Sequence, residues 1–259
     1  KMKKNIRATV LSQKEIAPRI FDMWISTELA ACAKAGQFIG VYPKDRSTLL
    51  PRPISICQVN DKKDALRIVY RIAGQGTAEF SSYQEGDSVE ILGTLGNGFH
   101  TEAAEGKKVI LMGGGIGIPP MLELARELPA STEKQIIVGY RDDQLFLKED
   151  LEKNGTVYIA TEDGSVGTKG NVMNAIEENH LQADVIFACG PMTMLRAIKK
   201  YAEEKKIKAY ISLEEHMACG VGACLGCVVK TKEVDHHSHV HNARICTDGP
   251  VFDAVEVEI

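Results

Sequence analysis

The sequence predicts a β-barrel, then an α/β domain, then a small cysteine-rich domain at the C-terminal end. Three observations support this fold class. The first hundred residues hold short β-rich segments with few convincing helices, apolar strands and helical segments alternate from Gly106 onward, and four of the seven cysteines lie at or beyond position 219. We therefore expect a barrel over residues 1–100, an α/β domain over 101–210 and a cysteine-rich domain over 211–259.

The barrel strands are indicated by composition. The segments RATVLS, RIFDMWIS, GQFIGVYP, ALRIVYRIAG and DSVEILGTLG are short, rich in Val, Ile and Tyr, and separated by Gly, Pro, Asp and Asn. β-branched and aromatic residues favour strands, and regularly spaced turn residues favour short antiparallel connections. This pattern predicts a small antiparallel barrel.

The α/β domain begins with KKVILMGGGIGIPPMLELARELP, which reads as an apolar strand, a glycine-rich turn and an amphipathic helix. Further strands are predicted at KQIIVGYR, VYIAT, ADVIFACGP and KAYISL, and helices at NVMNAIEENH and MTMLRAIKKYAEEKK. Strands and helices that alternate in this way predict a parallel sheet with crossover helices.

The turn GGGIGIPP, residues 113–120, is a candidate phosphate-binding turn. Its glycines let the backbone approach a pyrophosphate, and the helix that follows offers free N–H groups. It departs from the G-x-G-x-x-G fingerprint, so a tight turn without a ligand is the alternative. CGPM, residues 189–192, ends another strand, where open α/β sheets bind ligands. Arg141 would favour a 2′-phosphate and Asp142 or Asp143 a ribose 2′-hydroxyl, which leaves NAD and NADP both open.

Two barrel motifs carry polar groups that suit a flavin nucleotide. In RPIS, residues 52–55, Arg52 is able to pair with a phosphate and Ser55 to hydrogen-bond the edge of a flavin ring. YRIAGQGT, residues 70–77, adds an aromatic ring, a second arginine and a Gly-Thr pair whose amides suit a pyrophosphate. Each motif alone is also typical of an exposed strand or turn, so the two count only in combination.

The cysteine-rich segment has the spacing Cys219-x4-Cys224-x2-Cys227, with Cys246 further on. This spacing, C-x4-C-x2-C…C, is that of plant-type 2Fe-2S proteins. The interspersed glycines permit positive φ angles and close backbone approach, so that N–H groups are able to point at the sulfurs. The sequence therefore predicts a 2Fe-2S cluster in this loop.

Other interpretations of the cysteines are weaker. A zinc ion held by the CLGC pair and two histidines of VDHHSHVH has finger-like ligand types but leaves two cysteines unused. Its ligands would be Cys224, Cys227, His239 and His241. A disulfide framework conflicts with a reducing compartment, and four unligated thiols at this spacing are less plausible still. The His236–His241 segment reads as a solvated insertion, and metal binding by it stays open.

Charge and hydropathy exclude several classes of partner. The net charge of −4 and the lack of a Lys/Arg run give no basis for binding nucleic acid or a membrane surface. No apolar run approaches the roughly 20 residues of a spanning helix. The start KMKKNIRATV has no apolar region behind its charges, so we expect no signal peptide. A cytoplasmic protein with reduced cysteines is therefore expected.

With RPIS, GGGIGIPP and the cysteine loop in this order, the sequence resembles the ferredoxin–NADP reductase superfamily, and within it the electron-transfer subunits of class 1B dihydroorotate dehydrogenases. The resemblance covers essentially the whole chain, through LLPRPIS, LGTLGNGF, GGGIGIPP, EDGSVGTKG, CGPM, EEHMACGVGACLGCVV and CTDGPVF. It implies a ferredoxin-reductase-like fold with FAD on the barrel, NAD on the α/β domain and the 2Fe-2S cluster in the C-terminal domain.

The resemblance also implies the site residues. FAD would contact Arg52, Pro53, Ile54, Ser55, Val69, Tyr70, Arg71, Gly76 and Thr77. The nicotinamide nucleotide would contact Gly114, Gly115, Gly117, Cys189, Gly190 and Pro191, where Cys189 either shapes the hydride-transfer site or only packs. The cluster would be held by Cys219, Cys224, Cys227 and Cys246. No side chain is expected to act as a nucleophile or general base, because the cofactors form a redox relay.

The function that the resemblance implies is electron transfer within a two-subunit enzyme. Electrons would pass from FMN in a separate catalytic subunit that oxidises dihydroorotate, through the 2Fe-2S cluster and FAD, to NAD+ in de novo pyrimidine (UMP) biosynthesis. Two copies of each chain would form a heterotetramer, with the cluster loop at the interface. Subunits of NADH-dependent ferredoxin, sulfide or glutamate-synthase-like oxidoreductases share this architecture and are the alternative. A zinc-stabilised nucleotide-binding regulator is the alternative from a different class.

Overall fold

The computed structural model describes residues 4–45, 47–234 and 240–259. His236, His237 and His239 lie outside these residues, so the zinc interpretation falls partly outside them too. The described chain forms a closed barrel, a seven-stranded sheet and a two-stranded hairpin. No helix within the described ranges is long and apolar enough to cross a membrane.

Six antiparallel strands close the barrel in the order β1-β2-β5-β4-β3-β6. Aliphatic side chains such as Ile25, Ile56 and Ile91 fill its interior and are fully buried, as the alternation of apolar residues in a barrel strand requires. The strands are β1 (Lys4–Ala17), β2 (Ile20–Ser26), β3 (Phe38–Tyr42), β4 (Arg52–Val59), β5 (Ala65–Arg71) and β6 (Ser88–Leu95), and the short helix α1 (Gln75–Phe80) follows β5. The predicted antiparallel barrel is confirmed.

The second unit is a mostly parallel sheet. Its helical crossovers are α2 (Pro119–Glu127), α3 (Lys148–Glu152), α4 (Val172–Glu178) and α5 (Met192–Lys205). Its strands are β7 (Lys108–Gly114), β8 (Glu133–Tyr140), β9 (Thr156–Thr161), β10 (Thr168–Lys169), β11 (Val185–Cys189), β12 (Lys208–Ser212) and β15 (Val251–Asp253). They are ordered β10-β9-β8-β7-β11-β12-β15, so the direction of winding reverses between β7 and β11. The predicted parallel-sheet domain is confirmed.

Helices cover both faces of this sheet. Alternate residues of β7 point to opposite faces: Val109 and Leu111 join the apolar cluster that contains α2 and α3, whereas Ile110 and Met112 join the cluster that contains α4 and α5. Strands buried on both faces read as continuous apolar runs, and this explains why KKVILM carries no polar alternation after its lysines.

Polar contacts fix the barrel against the α/β unit. On α2, the Glu123 carboxylate accepts a hydrogen bond from the Val59 N–H at 3.0 Å, and Glu127 accepts one from the Ala35 N–H at 3.1 Å. Arg67 on β5 forms a two-point ion pair with Asp22 and reaches Asp150 on α3 at 2.8 Å. These contacts hold α2, the helix that follows the glycine turn, and α3 against the barrel.

The C-terminal segment leaves the sheet and returns to it. After β12 come the cysteine loop and a hairpin of β13 (Val228–Lys230) and β14 (Asn242–Arg244), and β15 then pairs antiparallel with β12. The last strand of the expected third domain therefore completes the sheet of the second.

Candidate functional site

The glycine-rich turn joins β7 to α2 at the reversal of strand order. Gly113 on β7 is level with Cys189 on β11, so the two strand ends lie side by side. Open α/β sheets bind ligands in the crevice at this kind of switch point. Pro119 and Pro120 occupy the first turn of α2, where a missing N–H costs little.

Glycine is required here because the two strand ends pack closely. A Cβ on Gly117 would lie 2.4 Å from the carbonyl oxygen of Cys189, and one on Gly114 would lie 2.6 Å from the sulfur of Met194. Gly115 differs, since its φ is +54° and an added Cβ would meet no atom within 4 Å. Gly115 therefore adjoins open space rather than packed protein.

That open space is a cavity of about 450 Å³, here called the nucleotide cavity. Five of the expected nucleotide contacts line it: Gly114, Gly115, Gly117, Gly190 and Pro191. Cys189 is not among the lining residues; it is fully buried, and burial together with the charge of Glu214 raises the pKa of its thiol. This placement is consistent with the packing alternative for Cys189.

Two charged residues line the nucleotide cavity at the ends of β8 and β9. They are Arg141 and Glu162, and the Glu162 N–H donates to the Tyr140 carbonyl at 3.1 Å, which holds the two strand ends together. Asp142 and Asp143 are absent from its lining, and Asp142 instead accepts from the Gln144 N–H. Of the acidic residues that follow β8 and β9 here, Glu162 lines the cavity, whereas Asp142 and Asp143 do not.

A second cavity of about 450 Å³, here called the barrel cavity, lies against β4 and β5. Eight of the expected FAD contacts line it: Arg52, Pro53, Ile54, Ser55, Val69, Tyr70, Arg71 and Thr77. Gly76 lies behind Arg52, because a Cβ on Gly76 would be 2.7 Å from the Arg52 Nε. Glycine therefore lets this guanidinium lie against the first turn of α1.

Two of these residues use their side chains within the protein. The Tyr70 ring is in the barrel core, where it stacks on Phe21 and donates from its hydroxyl to the Gln13 Oε1 at 2.7 Å. The Thr77 hydroxyl accepts from the N–H groups of Ala73 and Gly74 at 2.9 and 3.1 Å. Both residues therefore shape the cavity by fixing its backbone.

The two cavities adjoin. Arg71, Ile116 and Glu214 line both of them. Burial raises the pKa of the Glu214 carboxyl, and the neighbouring Arg71 opposes that rise. The wall that the two cavities share therefore carries a basic group, Arg71, and an acidic group, Glu214.

The barrel cavity also reaches the cysteine loop. The chain from Ser212 to Met217 and the later residue Pro250 form part of its lining. Met217 lies two residues before Cys219, and Pro250 lies four residues after Cys246. Both chain segments that carry the cysteines therefore touch the cavity.

The cysteine loop surrounds its sulfurs with backbone N–H groups. The Cys219 Sγ accepts from the N–H groups of Val221, Ala223 and Cys224 at 3.3–3.4 Å, and the Cys224 Sγ accepts from Gly226 at 3.4 Å. Burial alone would raise the pKa of Cys219, but these N–H donors and the Cys224 thiol lower it to about 6. N–H donors of this kind favour thiolates, the form in which cysteine binds metal.

The backbone achieves this by left-handed turns. The φ values of Gly220 and Gly222 are +66° and +81°, and that of Leu225 is also positive, at +57°. At Gly222 an added Cβ would lie 2.9 Å from the Thr247 methyl, so glycine also allows the loop to approach the chain beside Cys246. The third left-handed residue is a leucine rather than Gly226, which the sequence pattern did not indicate.

The four sulfurs form two pairs. Cys219 is in hydrogen-bond contact with Cys224, and Cys246 with Cys227. Among the residues that the structure describes, no three His, Cys, Asp or Glu side chains are grouped closely enough to hold one metal ion. A 2Fe-2S cluster needs two pairs of thiolates, one for each iron, rather than one compact set.

Comparison with known proteins decides the family. Over 259 residues the chain is 42% identical to the dihydroorotate dehydrogenase B (NAD+) electron transfer subunit of Streptococcus mutans. The aligned region covers 99% of this chain and 98% of that protein. The corresponding subunit of Streptococcus pneumoniae R6 is 41% identical over 246 residues, 94% of each chain. The chain belongs to this family. Residues 214–258 match the iron-sulfur cluster binding domain of dihydroorotate dehydrogenase B.

The fold agrees with this family. The solved structure of an NADH-dependent reduced ferredoxin–NADP oxidoreductase has a TM-score of 0.86 and 26% identity, and covers 97% of this chain and 89% of that one. The ferredoxin-reductase-like fold and the oxidoreductase class are confirmed, and so are FAD, 2Fe-2S and NAD as the cofactors. As an electron transfer subunit, a member of the family works with a catalytic partner.

Several residues that line the two cavities were not predicted from the sequence. Glu162 lies in EDGSVGTKG and Glu214 in EEHMACGVG, and both motifs were noted without assigning a role to their acidic residues. Pro250 lies in CTDGPVF, which was noted for its cysteine. An acidic residue directly after a β strand was the available signal for Glu162, because strand ends meet at the binding edge of a sheet.

Proposed function

We propose that this chain is the electron-transfer subunit of a class 1B dihydroorotate dehydrogenase, which carries electrons from a dihydroorotate-oxidising partner to NAD+ in pyrimidine (UMP) biosynthesis. The contiguity of three sites carries the proposal. The cysteine loop adjoins the barrel cavity through Met217 and Pro250, and the barrel cavity adjoins the nucleotide cavity through Arg71, Ile116 and Glu214.

The donor set of the loop fits a 2Fe-2S cluster. Cys219, Cys224, Cys227 and Cys246 would hold it, with one pair of thiolates for each iron. Backbone N–H groups directed at Cys219 and Cys224 stabilise the negative charge that metal ligation places on sulfur. Cys227 and Cys246 are buried at 3% and 0% exposure, so one side of the site is shielded from water.

The two cavities fit the two nucleotides. FAD would lie in the barrel cavity, with the Arg52 guanidinium placed for a phosphate and Ser55 for the flavin ring. NAD would lie in the nucleotide cavity on the turns of Gly114–Gly117 and Gly190–Pro191, with Glu162 placed to accept from a ribose hydroxyl. Thr77 and the core-anchored Tyr70 fix the backbone of the barrel cavity.

When bound, the cluster exchanges single electrons, the nicotinamide a hydride, and the flavin either. The chain supplies position rather than a reacting side chain. Arg71 and Glu214 form the common wall, and Glu123, Glu127 and Arg67 hold the barrel against α2 and α3, so that the cavities keep one relative placement.

The exposed face of the cysteine loop suits a protein partner. Val221, Leu225 and Val228 are 43%, 61% and 39% exposed around Cys224, which is itself exposed. Clustered exposed apolar side chains mark interaction surfaces. We propose that the FMN-containing catalytic subunit docks here, with two copies of each chain in a cytoplasmic complex, and that the functional division of this chain is 1–100, 101–210 and 211–259.

The proposal is tested by co-expression with a candidate dihydroorotate-oxidising FMN subunit. We expect the two chains to co-purify, and dihydroorotate-driven NAD+ reduction to require both. If this chain instead reduces ferredoxin with NADH and leaves dihydroorotate oxidation unaffected, it belongs with the ferredoxin-linked alternative. A colourless protein without iron would contradict a redox role altogether.

A further inference from the structure

A short turn links the fourth cysteine to the wall of the barrel cavity. This turn, residues 246–250 and here called the CTDGP turn, begins at Cys246, and its last residue, Pro250, lines the cavity. Cys246 is fully buried. Whatever fixes the conformation of the turn therefore fixes the placement of a proposed cluster ligand relative to the proposed flavin site.

Asn97, just beyond β6, forms hydrogen bonds to this turn and to Val251, which follows it. Its Nδ2 donates to the carbonyl oxygens of Asp248 and Val251 at 2.9 and 3.0 Å. Its Oδ1 accepts from the Val251 N–H at 3.3 Å, and its own N–H donates to the Gly249 carbonyl at 2.7 Å. One residue of the barrel thus makes four hydrogen bonds to a chain segment about 150 positions away.

The residue before Asn97 lets the turn come this close. Gly96 has a φ of +78°, and a Cβ there would lie 2.4 Å from the Pro250 Cδ and 3.2 Å from the Phe38 ring. Phe38 and Pro250 both line the barrel cavity. The Gly96–Asn97 pair therefore holds Pro250 at the cavity rim.

The opposite side of the turn is bonded to the cysteine segment. Arg244 pairs with Asp248 through Nε–Oδ2 and Nη2–Oδ1 contacts of 3.0 and 3.1 Å, and the Arg244 N–H donates to the same carboxylate at 2.8 Å. The N–H groups of Thr247 and Asp248 donate back to the Arg244 carbonyl. With Asn97 on one side and Arg244 on the other, the CTDGP turn has one fixed conformation.

We infer that Asn97 is a positioning residue for electron transfer between the cysteine loop and the barrel cavity. The inference rests on the proposed function, since it concerns transfer between those two sites. A reacting group displaced by about 1 Å can lose about 100-fold in rate, so small displacements of either site are costly. Asn97 touches neither site's ligands and acts only through the turn that it holds.

The test uses the purified holoprotein and three variants. Asn97→Ala removes all three side-chain hydrogen bonds, and Asn97→Asp keeps the acceptor but removes the two donor bonds. Asn154→Ala is the matched control, because it removes an amide donor bond to the carbonyl of Asp150 in α3, which is not part of the CTDGP turn. Flavin and iron contents, hydrogen exchange of the 246–251 backbone and stopped-flow reduction by NADH are measured for each.

We expect Asn97→Ala to reduce its flavin at the unaltered rate while its cluster is reduced about tenfold or more slowly, since only the second step crosses the turn. Exchange of the 246–251 amides should rise by about tenfold. Asn97→Asp sets a carboxylate oxygen against the carbonyls of Asp248 and Val251, so it should slow cluster reduction at least as much as Asn97→Ala, and Asn154→Ala should match the unaltered chain. If Asn97→Ala fails to retain its cluster, its amide exchange over 246–251 decides the matter, and exchange equal to that of Asn154→Ala would overturn the inference.

Unaltered cluster reduction in the variants would overturn the inference, and so would an equal slowing of flavin and cluster reduction, which indicates general destabilisation. Failure of the unaltered chain to reduce its cluster from NADH would contradict the proposed function and this inference with it. The two failures are distinguishable because the first leaves the unaltered relay intact.

Discussion

The carboxylate of Glu123 accepts a hydrogen bond of 3.0 Å from the backbone N–H of Val59. Glu123 lies on the helix that follows the glycine-rich turn, and Val59 ends a barrel strand that begins at Arg52. The bond therefore joins the two halves of the proposed relay. Burial raises the pKa of this carboxyl, and the N–H of Val59 and the charge of Arg126 offset that rise only in part.

Replacement of Glu123 separates its hydrogen bond from its charge. Glu123→Ala leaves the Val59 N–H without its acceptor, so we expect the free energy of unfolding to fall by about 1–3 kcal/mol. Glu123→Gln keeps an acceptor oxygen and should cost less. Chemical denaturation of both variants at one pH measures the difference, and equal losses would show that the hydrogen bond contributes nothing.

The stability difference between Glu123→Gln and the unaltered chain should depend on pH. Because the folded-state pKa of Glu123 is raised above 4.5, the folded chain holds this proton more tightly than the unfolded chain does. Stability from this group is thus present at low pH and is lost as pH rises through the raised pKa. The free energy of unfolding of Glu123→Gln minus that of the unaltered chain should therefore increase as pH rises from about 4.5 toward neutrality. A difference that does not change with pH would contradict the burial argument.

Loss of one cysteine should separate the two ends of the relay. Cys224→Ser removes a proposed cluster ligand, so we expect loss of the broad absorbance beyond the flavin bands and of dihydroorotate-driven NAD+ reduction in the complex. NADH-driven reduction of an artificial two-electron acceptor should survive, because the two nucleotide cavities are untouched. Cys32→Ser, at an exposed cysteine far from the loop in sequence, is the control and should lose neither.

Glu162 should decide the choice between NAD and NADP. Glu162 lines the nucleotide cavity, where a carboxylate suits a ribose hydroxyl and repels a 2′-phosphate. We expect Glu162→Gln to reduce the preference of kcat/KM for NADH over NADPH by about tenfold, which is about 1.4 kcal/mol. Asp143→Asn removes the same charge outside the cavity lining and serves as the control. An unchanged preference in Glu162→Gln would place the ribose elsewhere.

Leu225 should contribute to binding of the catalytic subunit. Its side chain is 61% exposed beside Cys224, and its φ of +57° is one that aspartate tolerates, so Leu225→Asp adds a charge without backbone strain. We expect the affinity for the catalytic subunit to fall by about tenfold or more, measured by titration calorimetry. Leu11→Asp, at a 43% exposed leucine on β1, is the control. Equal effects of both changes would indicate non-specific charge repulsion.

Sequence patterns predicted the elements whose signals are local. Continuous apolar runs indicated the buried parallel strands, and the glycine turn and cysteine spacing indicated two binding sites. The segment RPISICQV was not among the predicted strands, although it forms β4. Pro53 is exposed and pairs with Gly40 on β3, and β4 is irregular between Ile56 and Gln58, where its pairing with β5 shifts register. A proline at the start of a strand is tolerated, but this position was not readable from composition.

The parts of the site that were missed depend on distant contacts. Pro250 and Asn97 are brought together by the return of the C-terminal chain to β12 and to the end of β6, and no local pattern encodes that return. Tyr70 was expected to contact FAD and lines the barrel cavity, while its ring stacks on Phe21 and its hydroxyl bonds Gln13, which no local pattern indicated. The spacing of residues in the sequence identifies ligands within one loop. The residues of a cavity wall that is built from three chain segments can be identified only once the fold is known.

The order of reduction by NADH tests the central claim, that the barrel cavity lies between the other two sites, most directly. The measurement is anaerobic stopped-flow absorbance of the holoprotein and of the same protein stripped of FAD with its cluster retained. We predict that flavin absorbance bleaches before cluster absorbance in the holoprotein, and that NADH does not reduce the cluster in the stripped protein until FAD is restored. Reduction of the cluster by NADH without FAD would contradict the account.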